Sequence, residues 1–274
     1  MTSRPFRYDL YDTQEVIGKL WNKYPSPEHR RLLGVARDAL FYVYLTGQRY
    51  RLEDFYKDIG SGPHRPPDTH ERPGDDFADL DAQLNSTECF FKKLRDETTS
   101  DRQRNLLQAI LDTLLFISST GQHSRFSEYL EHIEADAPPY ALASFDTKEE
   151  AEAWLTNQPA PPDFAHVLVA NAYHDVVYER ERNFRRLMRS RTLEYHLADL
   201  KKRHPPVAVA SFATLEEAEA WLKAQPMPAR WAWVSIADEP YLAVYHPNLQ
   251  HRALYPLSMA DGYEVEDDEE EPES

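Results

Sequence analysis

A single cysteine, Cys89, stands in 274 residues. That excludes an internal disulfide framework and any zinc site built from several thiolates, and an isolated thiol of this kind is expected to be a small buried apolar filler. Glycine is scarce too, eight in all, and none falls in G-x-x-x-x-G-K-[ST] or G-x-G-x-x-G, so no phosphate-cradling loop is readable. There is no G-x-S-x-G elbow and no H-E-x-x-H. No run of 18 apolar residues occurs, the length a membrane helix needs, and the N-terminus MTSRPFRYDLYDTQ lacks the apolar core of a signal peptide. The expectation is a cytoplasmic, non-enzymatic chain with no cofactor, no metal and no membrane.

The formal charge is -16, but nine of the acids lie in the last fourteen residues, DGYEVEDDEEEPES. The rest of the chain is therefore only about seven charges negative. Residues 261–274 hold too little apolar surface to offset chain entropy and are expected to form a disordered acidic tail.

Two internal repeats organise what remains. Residues 12–59 laid over 86–133, at an offset of 74, give fourteen identities in 48 positions without a gap, which marks a real repeat. The tripeptide Thr46-Gly47-Gln48 recurs as Thr120-Gly121-Gln122. Ser26 and Ser100 stand where helix N-caps belong. Leu33, Ala36, Leu40 and Val43, matched by Leu107, Ile110, Leu114 and Ile117, give stripes of helical period, and Gly47 and Gly121 are C-terminal stops. A short amphipathic helix closes each copy, so the expected result is a bundle of four main helices. Between the copies, Gly60 to Asp76 is rich in proline and glycine and reads as a loop. His64, Asp68, His70 and Asp75 lie in it at no metal-specific spacing.

Residues 138–161 over 205–228, at an offset of 67, match at seventeen of 24 positions, PP-x-A-x-ASF-x-T-x-EEAEAWL-x-x-QP-x-P. A strand comes first, then a helix opened by the Thr-x-x-Glu box of Thr147 with Glu150 and Thr214 with Glu217. Two further strands follow, making a βαββ unit. Trp154 and Trp221 sit on the helix face that must cover a sheet and are expected in the core. The fold class is α+β: a helical bundle over 1–137 (repeats 12–59 and 86–133), an α+β domain over 138–260 (repeats 138–187 and 205–254), and the tail over 261–274.

The link Arg180 to Arg203 carries nine basic residues against three acids and reads as a strand end running into a basic helix. Arg182, Arg185, Arg186, Arg189 and Lys201 are its candidates for nucleic-acid phosphates or an acidic surface. The plainer reading is a solvated face, because residues 138–260 still net about two negative charges. Arg125 with His132 and Arg191 with His196 resemble the short Arg/His motif of HEPN-type ribonucleases, which implies RNA cleavage as a third reading.

The repeated ASF-x-T-x-EEAEAWL module resembles one found in uncharacterised bacterial proteins, and small acidic chains of this kind are associated with immunity partners of toxins. The resemblance covers residues 138–256 and transfers no functional residue. It implies a binding factor that occupies a protein partner, most concretely a basic toxin, with Trp231 and Trp233 as exposed aromatic contacts. A nucleic-acid-associated regulator using the basic link is the competing reading, separable by salt dependence.

Overall fold

The structure, a computed structural model, describes residues 10–60 and 77–263, without the side chains of 58–60. His64, Asp68, His70, Asp75 and the tail from Glu264 onward lie outside the described residues. Helices occupy the N-terminal part and two four-stranded sheets the C-terminal part. The contacts divide into two units. One comprises Met1–Glu131, Ala160–Ala165 and Val177–Phe184; the other comprises His132–Pro159, His166–Val176 and Arg185–Ser274. No helix of the described residues is long and apolar enough to cross a membrane.

The helices are α1 (Leu10–Lys23), α2 (Pro27–Leu45), α3 (Arg49–Gly60), α4 (Ala78–Glu97), α5 (Asp101–Ser119) and α6 (His123–Glu134). Ser26 opens α2 by accepting from the His29 N–H at 3.3 Å, with Pro27 fixing the first helical φ, and Ser100 opens α5 through the Gln103 N–H at the same distance. The ends are alike as well. Thr46 donates its hydroxyl to the Tyr42 carbonyl and Thr120 to that of Phe116, after which Gly47 (φ +62) and Gly121 (φ +67) turn left-handed.

The recurring glutamine has a role that spacing alone did not reveal. Gln48 donates to Gln122 Oε1 at 2.8 Å, so equivalent residues of the two copies bond each other, while each also donates to the threonine two positions before it. The Tyr42 hydroxyl donates to the same Gln122 oxygen at 2.9 Å, and the two glutamines are buried together. Helix contacts follow the same exchange, α1 on α5 and α4 on α2, with α2 on α5 between them. The stripes Leu33, Ala36, Leu40, Val43 and Leu107, Ile110, Leu114, Ile117 are all buried. Cys89 is a correction, for it is exposed. The inward stripe of α4 is Leu84, Thr87, Phe91 and Leu94, and position 89 falls off it.

The first sheet has the order β1 (Ala141–Phe145), β2 (Phe164–Val169), β3 (Ala172–Glu179), β4 (Phe184–Arg189), with α7 (Lys148–Asn157) between β1 and β2. After α8 (Thr192–Arg203), the second sheet repeats the order as β5 (Ser211–Phe212), β6 (Trp231–Ile236), β7 (Glu239–His246), β8 (His251–Pro256), with α9 (Leu215–Ala224) after β5. The outermost pair of each, β1 with β2 and β5 with β6, is parallel. The expected βαββ unit is thus one strand short. The 3₁₀ turns Arg180–Arg182 and Pro247–Leu249 lead into left-handed Asn183 (φ 47) and Gln250 (φ 52), which reverse the chain into a fourth strand.

Two-residue turns at Ala170-Asn171 and Ala237-Asp238, every φ positive, close the preceding hairpins in both copies. Thr147 and Thr214 cap α7 and α9 as the Thr-x-x-Glu spacing implies. Trp154 lies 5.5 Å from Phe145 and Trp221 lies 5.4 Å from Phe212, half-buried in near-identical tilted pairs. Leu193, Leu197 and Leu200 of α8 share one core with Ala141, Leu168 and Tyr173 of the first sheet and Trp233, Leu242, Val244 and Tyr255 of the second.

Candidate protein-binding edge

The basic link is not one helix. It is a 3₁₀ turn, the strand β4 and only then α8, so Arg185, Arg186 and Arg189 stand on a strand and Lys201 on a helix. Most of its charge is already engaged. Arg185 donates to the carbonyls of Thr156 and Gln158, closing the C-terminus of α7, as Arg252 does through Gln225 for α9. Arg189 donates to the carbonyls of Tyr173 and Ser190 and to Glu194 at 2.8 Å. Arg203 pairs with Asp136 and Asp199, and Arg180 with Glu53 and Asp54 over the Tyr50 ring. Arg182 is exposed beside Glu179 at 3.3 Å, Arg186 is exposed on β4, and Lys201 is exposed in the last turn of α8. Since β4 is the outer strand of its sheet, its arginines also have a plain structural use: charge on an edge strand discourages another strand from adding there.

The tryptophans are corrected in the opposite sense. Trp233 is only 4% exposed and Trp231 is half-buried. Each spends its indole N–H on a carbonyl, Trp231 on Ala135 at 2.8 Å and Trp233 on His204 at 3.0 Å, and the Trp231 ring lies 5.6 Å from that of His204. Trp233 by its bond and Trp231 by its ring hold the connector that leaves α8 at His204, and each indole places its N–H on an acceptor as a buried indole must.

What they anchor is the most open surface of the sheet unit. From Lys201 to Val209 every residue is exposed, Val207 to 77% and Val209 to 67%. This stretch runs into β5, the outermost strand of the second sheet. Its bonds inward come from Val209 N–H to the Trp233 carbonyl, and from Ser235 and Ala237 N–H to the carbonyls of Ala210 and Phe212. No strand of the described residues lies on its other side. The corresponding strand β1 is covered: the turn Pro247–Leu249 rests on it, Asn248 donates to the Ala141 carbonyl at 2.8 Å, and Ser144 bonds His251 at 3.1 Å. Ala141 and Tyr140, the latter edge-on to the His132 ring, are buried, where their equivalents Ala208 and Val207 are bare.

The histidines of the Arg/His pairs are poor candidates for acid/base work on RNA. His132 is buried, donates Nε2–H to the Pro138 carbonyl at 2.7 Å, and burial pushes its pKa down to about 4. His196 is half-buried on α8, its pKa also lowered by burial. His246, fully buried, lies parallel to His132 with ring centres 6.4 Å apart and has its pKa lowered to about 3, again chiefly by burial. Its Nε2 meets the Tyr173 hydroxyl, which donates to the Pro139 carbonyl. Among the described residues no three His, Cys, Asp or Glu side chains are grouped to hold a metal.

No protein-family model, curated protein or solved structure matches this chain. The reading of its role rests on the geometry above.

Proposed function

We propose that this chain is a non-enzymatic protein-binding factor that engages polypeptide along the open β5 edge of its second sheet. The observation that carries the reading is that edge: the connector carrying the exposed Val207 and Val209 leads into the outer strand β5, on whose other side no strand of the described residues lies, and an open sheet edge is a template for another backbone. An immunity- or antitoxin-like role, occupying a partner such as a basic toxin, is the specific form the sequence resemblance suggests. The two repeats fit duplicated modules whose second copy kept an edge that the first copy has covered. The nucleic-acid reading draws less support, because Arg185 and Arg189 are committed to carbonyls and Glu194 and leave Arg182, Arg186 and Lys201 as a sparse exposed set.

The test is to purify the tagged full chain from its native cells, with and without nuclease treatment in parallel. The expected outcome is a stoichiometric protein partner that survives high salt and is lost when Val207→Lys and Val209→Lys are combined. Both sites are exposed, so the fold should hold. Recovery of nucleic acid alone, released by salt, would overturn the reading.

A further inference from the structure

We infer that the groove between the C-terminal half of α1 and the start of α5 binds a small aromatic acid, a single ring carrying a carboxylate. The site lies in the helical unit and stands independently of the protein-binding reading of the sheet edge.

The two helical copies select this ligand. The helices exchange partners between copies, α1 packing on α5 as α4 packs on α2, so each groove has a twin. At the α4–α2 groove, Phe90, His29 and Tyr24 fill the space with their rings, the centres 5.1 to 5.5 Å apart. At the offset of 74 the same positions are Val16, Gln103 and Thr98 at the α1–α5 groove. Three side chains without rings replace three with them, and a cleft of about 270 Å³ stands open there. Val16, Leu20 and Leu106 form its apolar wall. Such a volume lies at the small end of ligand pockets, which begin at about 300 Å³, and suits one ring rather than a strand or a helix.

The rim changes charge in the same exchange. Glu28 and Glu97 of the filled groove correspond to Arg102 and Lys23 of the open one, while Lys93 and Lys19 keep their sign. Lys19, Lys23 and Arg102 therefore border a ring-sized apolar space. Lys19 pairs with Glu15 at 2.5 Å and Arg102 with Asp12 at 3.1 Å, surface pairs weak enough for a bound anion to share. No carboxylate of the described residues pairs with Lys23, whose Nζ stands 5.3 Å from the Tyr24 ring centre. Past Leu20, Lys23 and Gln103 the cleft continues into a second hollow lined by Glu97 and Thr98. Glu97 repels an anion at that end. The carboxylate of the ligand thus belongs at the end flanked by Lys19 and Arg102, where charge-assisted hydrogen bonds are to be made, and its ring belongs against Val16 and Leu20.

The test is calorimetric titration of the purified full chain with benzoate, with benzylamine as a cationic control of similar shape. The expected result is saturable benzoate binding with a Kd of about 1 mM or tighter, as the size of so small a ligand allows, and benzylamine weaker by about tenfold or more. Two variants borrow the residues of the twin groove. Val16→Phe supplies the ring that Phe90 supplies in the other copy, and it should weaken benzoate by about tenfold or more with circular dichroism unchanged. Lys23→Glu combined with Arg102→Glu gives the rim the charges of the twin, and it should reverse the preference so that benzylamine binds more tightly than benzoate. That reversal is a gain of binding, which a misfolded variant does not produce. No saturation by benzoate up to about 10 mM, equal binding of benzylamine, or unchanged benzoate binding in both variants overturns the inference. A chain that ignores benzoate yet binds an acidic peptide bearing a phenylalanine overturns it too, and gives the cleft to a protein partner.

Discussion

The first copy and the second copy of each repeat share their internal devices and differ in their neighbours. In the sheets, β1 and β5 belong to the same repeated segment, yet β1 is covered by a turn while the stretch leading into β5 has Val207 and Val209 in solvent. In the helices, Gly47 and Gly121 hold the same left-handed turn, but only Gly47 is crowded: a Cβ there would lie 2.2 Å from Pro162 Cβ and 2.7 Å from the Phe164 carbonyl, whereas at Gly121 nothing comes within 4 Å. A repeated sequence fixes the element. Position in the chain decides what that element touches.

The largest effect expected from this difference is at the glycines. Gly47→Ala combines left-handed strain with a collision and should cost about 3 to 5 kcal/mol, while Gly121→Ala should cost only the strain, about 1 to 2 kcal/mol. Urea unfolding of the two variants measures the gap. Equal losses would mean that the close approach to Pro162 does not persist in solution.

Titration gives the next effect. The second copies hold His132 and His246 where the first hold Asp58 and Glu179. Folded His132 protonates near pH 4 and folded His246 near 3, while unfolded histidine protonates near 6.5. The unfolded state thus binds more protons as the pH falls below about 6.5, and each imidazole should destabilise the sheet unit by about 2 to 3 kcal/mol at pH 4.5. Asp112, in the second helical copy, has the opposite sign. Burial raises its pKa to about 6, so the folded state holds the extra proton and this group's stabilisation is lost as the pH rises from about 4 to 6. Hydrogen exchange followed along the chain at pH 7 and pH 4.5 should show the sheet unit loosening in acid. The loosening should be reduced in His246→Gln, and an unaltered acid response there would remove His246 as its cause.

Much of the fold was legible in the sequence because it depends on local rules: Ser26, Ser100, Thr147 and Thr214 as caps, Gly47 and Gly121 as stops, the leucine stripes as core. The fourth strands were not, since Phe184–Arg189 reads as a basic run and its strand character comes from the left-handed turn at Asn183 and from pairing. Trp231 and Trp233 were misjudged because exposure depends on what lies over them, here the connector at His204. The candidate edge was illegible for the same reason. Nothing in PPVAVASF says that its twin PPYALASF will be roofed by a turn more than a hundred residues later and that it will not.

The smallest difference is at the paired glutamines. Gln122 Oε1 accepts from both Tyr42 and Gln48, whereas Gln48 Oε1 accepts from Arg51, which solvent can also satisfy. Removing Gln122 therefore leaves the buried Tyr42 hydroxyl without its acceptor; removing Gln48 leaves that bond in place. Gln122→Ala should cost about 2 kcal/mol and Gln48→Ala about 1, and the double variant should cost less than the sum, because the bond they share is lost only once. Strict additivity in that cycle would show that the two residues do not meet, and with it the contact that ties the helical copies together would fall.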